Sequence, residues 1–181
     1  GWHVEPGIIP SNEVDLVRKS IETSIITTEK RMQGVNSETG LITKDQSLAP
    51  YLAHEGVLKV VESFLGEHFK ISFTTAIINN PGNERGIWHS DWPFNQNNAG
   101  HIQAPYHDAV THLTTIWMLS PFSAETGGTL IVPGSHRSSN NPTGKMGIDP
   151  LAPYPTEMHA TGNPGSVLFF DSRLWHATAT N

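Results

Sequence analysis

His89-Ser90-Asp91 sets an imidazole and a carboxylate two residues apart, just after a strand-like run and a Pro81-Gly82 turn. In an extended chain, residues two apart point to the same face. The two side chains therefore project together and can occupy adjacent corners of a metal's coordination sphere. A third ligand is needed. The best-placed source is Val167-Leu168-Phe169-Phe170-Asp171-Ser172-Arg173-Leu174-Trp175-His176, an apolar β run opened by a Pro164-Gly165 turn and ending on a histidine. His101, His107 and His112 are rivals. The first two belong to a loop, and a ligand carried on a strand is better fixed. Two histidines and one carboxylate on one side of a metal, with open positions opposite, suit a ferrous ion engaged in oxygen chemistry. Ten histidines make chance pairings easy. His3-Val4-Glu5 has the same H-x-[DE] form, yet it sits at the chain start with no strand foreseen around it.

The elements that must position these groups divide the chain in two. Gly7 to Pro10 is a short apolar approach, and Ser11 or Asn12 is the expected N-cap of a helix. Val14, Val17, Ile21 and Ile25 recur at helical spacing with charged residues between them, which predicts an amphipathic helix with one buried stripe. Residues 27–46 are polar and read as a loop containing at most a short strand. Ser47 to Leu65 is helical again, with Pro50 suited to a first turn, Gly56 a point where the segment can split, and Gly66 a terminator. Beyond Gly66 the pattern turns to strands: Phe69–Asn79, Gly86–Asp91, His112–Leu119, Gly128–Val132, Gly165–Asp171 and Leu174–Thr178. Helices followed by many short strands predict a mainly β fold, a sandwich or jelly roll with N-terminal helices packed on one sheet. Two loops, Pro93 to Ala109 and Ser138 to Pro164, are long enough to act as lids or specificity walls. The first carries Asn95, Gln96, Asn97, Asn98, His101 and Gln103.

Composition narrows the function. The formal charge of −6 and the absence of a basic run argue against a nucleic-acid partner. With no cysteine, thiol catalysis, disulfides and zinc-thiolate sites are excluded. No apolar stretch approaches the roughly 20 residues of a membrane span, and no signal peptide is visible. A cytoplasmic protein acting on a small molecule is the default expectation. Oligomeric state is not legible. The chain starts at Gly1-Trp2 without methionine, so the natural start is expected to lie upstream.

The strongest pattern is longer than the histidine pair. His89-Ser90-Asp91, Ile116-Trp117-Met118-Leu119, the run from Thr126 to Arg137 (Thr-Gly-Gly-Thr-Leu-Ile-Val-Pro-Gly-Ser-His-Arg), and Pro164-Gly165-Ser166-Val167-Leu168-Phe169-Phe170 with His176 together resemble the phytanoyl-CoA dioxygenase family. The resemblance covers most of the chain. It implies a double-stranded β-helix (the cupin-like jelly roll), in one domain with a helical buttress over about 11–66 and a β core over about 69–181. It also implies an Fe(II)- and 2-oxoglutarate-dependent dioxygenase that hydroxylates an unactivated C–H bond and releases succinate and carbon dioxide. On that resemblance His89, Asp91 and His176 hold the iron, while Trp117, Thr178 and Asn79 contact the cosubstrate. Strand alternation separately turns Thr178 the same way as His176. His136 is expected to tie down its turn, and Trp88, Trp92 and Trp175, which alternate with the ligands, are expected to pack away from the metal. Asp91 speaks against halogenation, for which related enzymes replace the carboxylate by a small residue.

One part of the family pattern is missing. The arginine that grips the far carboxylate of 2-oxoglutarate would fall after Asn181, so a fragment clipped at both ends is expected. Within the chain, Arg173 has the wrong parity to substitute, and Arg85 has the right one relative to His89. The other reading is a metal- or ligand-binding jelly-roll protein without oxygenase activity.

Overall fold

The computed structural model describes residues 1–25, 30–32, 35–93, 104–142 and 147–181, with backbone only for 30–32. Most of the polar first loop, including Asn95 to Asn98, His101 and Gln103, lies outside the described residues, as does part of the second. The described chain is mainly β with few helices. In order it runs β1 (Trp2–Glu5), α1 (Val14–Ser24), β2 (Lys30–Met32), β3 (Val35–Thr39), α2 (Ala49–Leu52), α3 (Glu55–Leu65), β4 (Thr75–Asn79), β5 (Leu113–Trp117), β6 (Leu130–Ile131), β7 (Met158–His159), β8 (Val167–Asp171) and β9 (His176–Ala177). Three antiparallel sheets result, ordered β1-β8-β5, β2-β3-β4 and β7-β6-β9.

The middle strand β8 explains its own composition. Leu168 and Phe170 face a core shared with Met118, Ile131, Ala160 and Leu174. Val167 and Phe169 face the other way, onto Ile8 and Val57, with Val60, Val61, Leu113 and Trp117 around them. A strand covered on both sides reads as an unbroken apolar run, and each such side chain contributes about 1.5–3 kcal/mol by leaving water. Ile131 of β6 lies in the same core as Leu168, so sheets β1-β8-β5 and β7-β6-β9 share one apolar layer. The opposite side of β6 and β9 forms a second layer in which Leu130, Val132 and Ala177 meet Trp88 and Trp175. Helix α1 buries Val14, Val17 and Ile21, as its spacing predicts, in a cluster with Ile9, Leu41 and Ala76 of β4.

Several local expectations need correction. The N-cap of α1 is Glu13 rather than Ser11 or Asn12, because the Pro10 carbonyl starts the turn by accepting from Glu13 N (2.8 Å) and Val14 N (3.2 Å). The second helical segment breaks before Gly56, at His54, whose Nδ1 accepts from Gly56 N at 3.1 Å and caps α3. Residues 35–39 are a full strand, β3, paired with β4. Gly86–Asp91 is not a strand, and its backbone joins the sheet through a bridge from His89 to His176. The chain start is a strand after all. Trp2 to Glu5 pairs with Phe170 to Val167, a partner 160-odd residues away that no local pattern announces.

The Pro164-Gly165 turn is a tight junction. Gly165 has φ +92°, its N–H donates to Met118 O (2.8 Å), and its carbonyl accepts from Ile9 N (3.0 Å). A Cβ here would lie 2.3 Å from the Ile9 carbonyl oxygen. Gly165→Ala should therefore cost more than the ~1–2 kcal/mol of a left-handed alanine, read as a lowered denaturation midpoint with unchanged slope.

Candidate metal centre

His89, Asp91 and His176 come from segments 85 residues apart, and backbone hydrogen bonds sew those segments together. His89 N donates to His176 O (3.0 Å) and His176 N to His89 O (2.9 Å). Ser172 O then accepts from both Asp91 N (2.9 Å) and Trp92 N (3.1 Å). The result brings one ligand atom from each of the three residues within 4.8 Å of the others.

Ring orientation follows from hydrogen bonding. His89 Nδ1 lies 3.0 Å from Ile87 O, and His176 Nδ1 lies 2.9 Å from Leu174 O. A carbonyl only accepts, so both Nδ1 atoms carry the proton and both Nε2 atoms keep a lone pair. Those lone pairs face one carboxylate oxygen: Asp91 Oδ1 is 3.8 Å from His89 Nε2 and 3.5 Å from His176 Nε2. Three electron-rich atoms aimed at one another repel unless a cation lies between them. First-row metals take such donors at about 2.0–2.2 Å, which puts adjacent ligands about 3 Å apart, so small side-chain movements close the set. The donor set therefore fits a metal ion, with carbonyl partners holding the imidazoles as metal sites require. His176 is also braced by Phe170, ring centroid to ring centroid 4.9 Å.

Burial, reinforced by His176, pushes the His89 imidazole down to about 4, against the opposing pull of Asp91 and the Ile87 carbonyl. It is neutral at pH 7, the form that binds metal. Between its ordinary value of 6.5 and about 4, the unfolded chain binds more protons than the folded one, so stability falls as pH falls through that window. Chemical denaturation of the metal-free protein should show this decline, and His89→Gln should flatten it.

Around the triad, sequence reasoning missed Thr114 and Ser172. Thr114 Oγ1 donates to Asp91 Oδ2 (2.9 Å) and lies 2.6 Å from Ser172 Oγ, which in turn lies 2.7 Å from His112 Nδ1. His112, a rival for the third ligand, thus sits outside the triad at the end of this chain of bonds, stacked on Trp92 (6.0 Å, 24°). The only available signal was parity, since 112 and 114 share a face. His107 is not in the triad either; its carbonyl accepts from Arg173 Nη1 (2.9 Å). His136 does not bond its turn, since its Nδ1 is buried without a partner. Ser135 Oγ makes the tie instead, accepting from Trp175 N at 2.8 Å. Trp88 and Trp175 pack in the outer layer, both edge-on to Tyr154.

The three expected cosubstrate contacts sit in different surroundings. Trp117 lies on the face of β5 opposite Thr114, packed with Val167, Phe169 and the helical cluster, with Nε1 donating to Thr115 Oγ1 (3.1 Å). It is half-buried against these clusters. Asn79 spends both amide hydrogens on backbone carbonyls, Gly127 O (3.2 Å) and Ala179 O (3.1 Å), and keeps none for a carboxylate. Thr178 follows β9, half-buried, with its carbonyl accepting from Gly86 N (2.9 Å). Arg85 pairs with both oxygens of Glu157 (2.9 and 2.7 Å) and lies over Trp88, so it faces the outer layer. Arg173 is spent on Asp171.

The family model for phytanoyl-CoA dioxygenase (PhyH) matches residues 15–181. Dioxygenase af480 of Aspergillus fumigatus is 29% identical over 131 residues, 72% of this chain and 38% of that protein, so the chain spans well under half the length of that curated relative. Among solved structures, HygX from Streptomyces hygroscopicus, with nickel, 2-oxoglutarate and hygromycin B bound, has a TM-score of 0.76 at 20% identity, covering 100% of this chain and 77% of HygX. EctD from S. alaskensis, with 2-oxoglutarate and 5-hydroxyectoine, gives 0.74 at 22% identity over 100% of this chain and 67% of EctD. At these identities the likeness is one of fold. Among the described residues, no helix is long and apolar enough to cross a membrane.

Proposed function

The chain belongs to the phytanoyl-CoA dioxygenase family, and from that premise we propose that it is an Fe(II)- and 2-oxoglutarate-dependent oxygenase hydroxylating an unactivated C–H bond of a small organic substrate, with release of succinate and carbon dioxide. The observation that carries the proposal is the aim of two imidazole Nε2 lone pairs at one oxygen of Asp91. We take the fold to be a single double-stranded β-helix domain whose helices α1 and α3 lean on the sheet containing β5 and β8.

In this reading His89, Asp91 and His176 would hold Fe(II). The ion, when bound, would supply oxygen activation coupled to oxidative decarboxylation of 2-oxoglutarate. The protein's own residues do the positioning. Ile87 and Leu174 carbonyls fix the two imidazoles, Thr114 holds Asp91, and Phe170 with the shared apolar core keeps water from one side of the metal. Thr178, alternating with His176, is the proposed hydroxyl contact to 2-oxoglutarate. HygX and EctD were solved with polar small molecules, and the imidazole and indole of His112 and Trp92 beside the triad suit a small polar substrate here too.

A second reading has one specific observation in its favour. Among the described residues, Arg85 and Arg173 are each committed to a carboxylate, so neither is available for the far carboxylate of 2-oxoglutarate. A metal- or ligand-binding jelly-roll protein without oxygenase activity would look the same. Anaerobic addition of Fe(II) and 2-oxoglutarate separates the two. The oxygenase should develop the weak visible charge-transfer band of the chelated cosubstrate, and oxygen should bleach it with release of succinate. Iron binding without the band would favour the second reading.

A further inference from the structure

Thr114, Ser172 and His112 are bonded in series to Asp91, and the number of hydrogens available sets the direction of every link. Asp91 Oδ2 accepts from Thr114 Oγ1, which uses the one hydroxyl hydrogen of Thr114. The 2.6 Å contact between Thr114 Oγ1 and Ser172 Oγ needs a hydrogen between the oxygens, so Ser172 must donate it. Ser172 then has no hydrogen left for His112. The 2.7 Å contact from His112 Nδ1 to Ser172 Oγ is therefore made by an Nδ1–H donor. Ser172 is fully buried, and its backbone carbonyl binds Asp91 N and Trp92 N while its N–H binds His112 O (3.2 Å), so the series is held rigidly at both ends.

We propose that His112, Ser172 and Thr114 form a one-way hydrogen-bond relay that occupies Asp91 Oδ2, turns Oδ1 alone toward the two imidazoles, and fixes His112 in the Nδ1–H form. Thr114 is the positioning residue of the metal centre. Its hydroxyl makes Asp91 a one-oxygen ligand and so preserves the open positions opposite. At the far end the relay leaves His112 Nε2 as an acceptor, without a hydrogen-bond partner among the described residues, beside the Trp92 ring. Burial lowers the His112 pKa, which keeps the ring neutral and the tautomer defined.

The tautomer arm of the test needs no metal. Nitrogen-15 NMR of the histidine rings at pH 8 should find His112 protonated on Nδ1, the opposite of the form that free histidine prefers. Thr114→Val removes the acceptor for Ser172, frees its hydroxyl to donate to His112, and should move the proton to Nε2 although valine never touches the ring. Ser172→Ala, a smaller side chain in the same space, should also abolish the Nδ1–H form. The affinity arm uses Co(II) and rests on His89, Asp91 and His176 being metal ligands. Thr114→Val should weaken Co(II) binding about 10- to 100-fold, and Thr114→Ser should restore both affinity and tautomer. A wild-type His112 proton on Nε2, or a tautomer unmoved by Thr114→Val, overturns the relay. An unchanged Co(II) affinity in Thr114→Val overturns its hold on Asp91. A wild-type chain that binds no Co(II) counts against the metal centre itself, and the NMR arm then decides the relay.

Discussion

Asp91→Asn should leave the fold intact and cost the protein its metal. Asparagine keeps the shape of the side chain and can still accept from Thr114, so the metal-free variant should melt within a few degrees of the parent. The metal loses its one anionic ligand, the group that balances its charge in a site otherwise built of neutral imidazoles. Affinity for Ni(II) or Fe(II) should fall by more than the ~10- to 100-fold that removal of an outer partner costs. Thermal melting reads both effects at once. At 100 times its dissociation constant a metal stabilises the folded parent by about 2.7 kcal/mol, and the variant should show almost none of that upward shift at the same concentration. A parent-like shift in the variant would mean that the ion sits elsewhere.

Arg173→Met should damage stability instead, and leave metal binding alone. Asp171 and Arg173 are 6% and 7% exposed. The guanidinium meets both carboxylate oxygens, through Nε at 3.1 and 3.2 Å and Nη2 at 2.6 Å, with Asp108 (3.1 Å) and the His107 carbonyl beyond. The carboxylates that accept from it, Asp171 first and then Asp108, hold the Arg173 pKa above its usual value. Methionine in its place would strand a buried carboxylate, a loss of about 3–5 kcal/mol. The double replacement Asp171→Leu with Arg173→Met should recover most of it, because an apolar pair leaves no charge behind. Denaturant titrations measure both. Should Arg173→Met keep its stability and instead lose the charge-transfer band, Arg173 would be a cosubstrate ligand and its parity argument would be wrong.

What was legible in the sequence, and what was not, follows from the range of the interactions. The two-residue spacing of His89 and Asp91 pointed to a shared side although residues 86–91 form only a bridge at His89 and no strand, and the apolar run ending at His176 marks a buried strand with equal clarity. Their convergence was therefore readable once a third ligand was sought. Val14, Val17 and Ile21 likewise announced the buried stripe of α1. Strand β1 was not readable, since Trp2 to Glu5 become a strand only by pairing with β8. Thr114 was invisible for a different reason. Threonine is ordinary in a strand, and nothing local distinguishes a hydroxyl that holds a metal ligand from one that faces water. At Trp117 resemblance and parity point different ways. Resemblance assigned it to the cosubstrate, while parity with Leu113 and Thr115, against Thr114 and Ile116, already placed it on the other side of β5.

Crystals of the chain soaked with Ni(II) and examined by anomalous diffraction address the metal centre most directly. The expected map has one strong peak bonded to His89 Nε2, Asp91 Oδ1 and His176 Nε2, with Asp91 Oδ2 still on Thr114. A peak bound through either Nδ1, or one that leaves these three side chains bare, would contradict it.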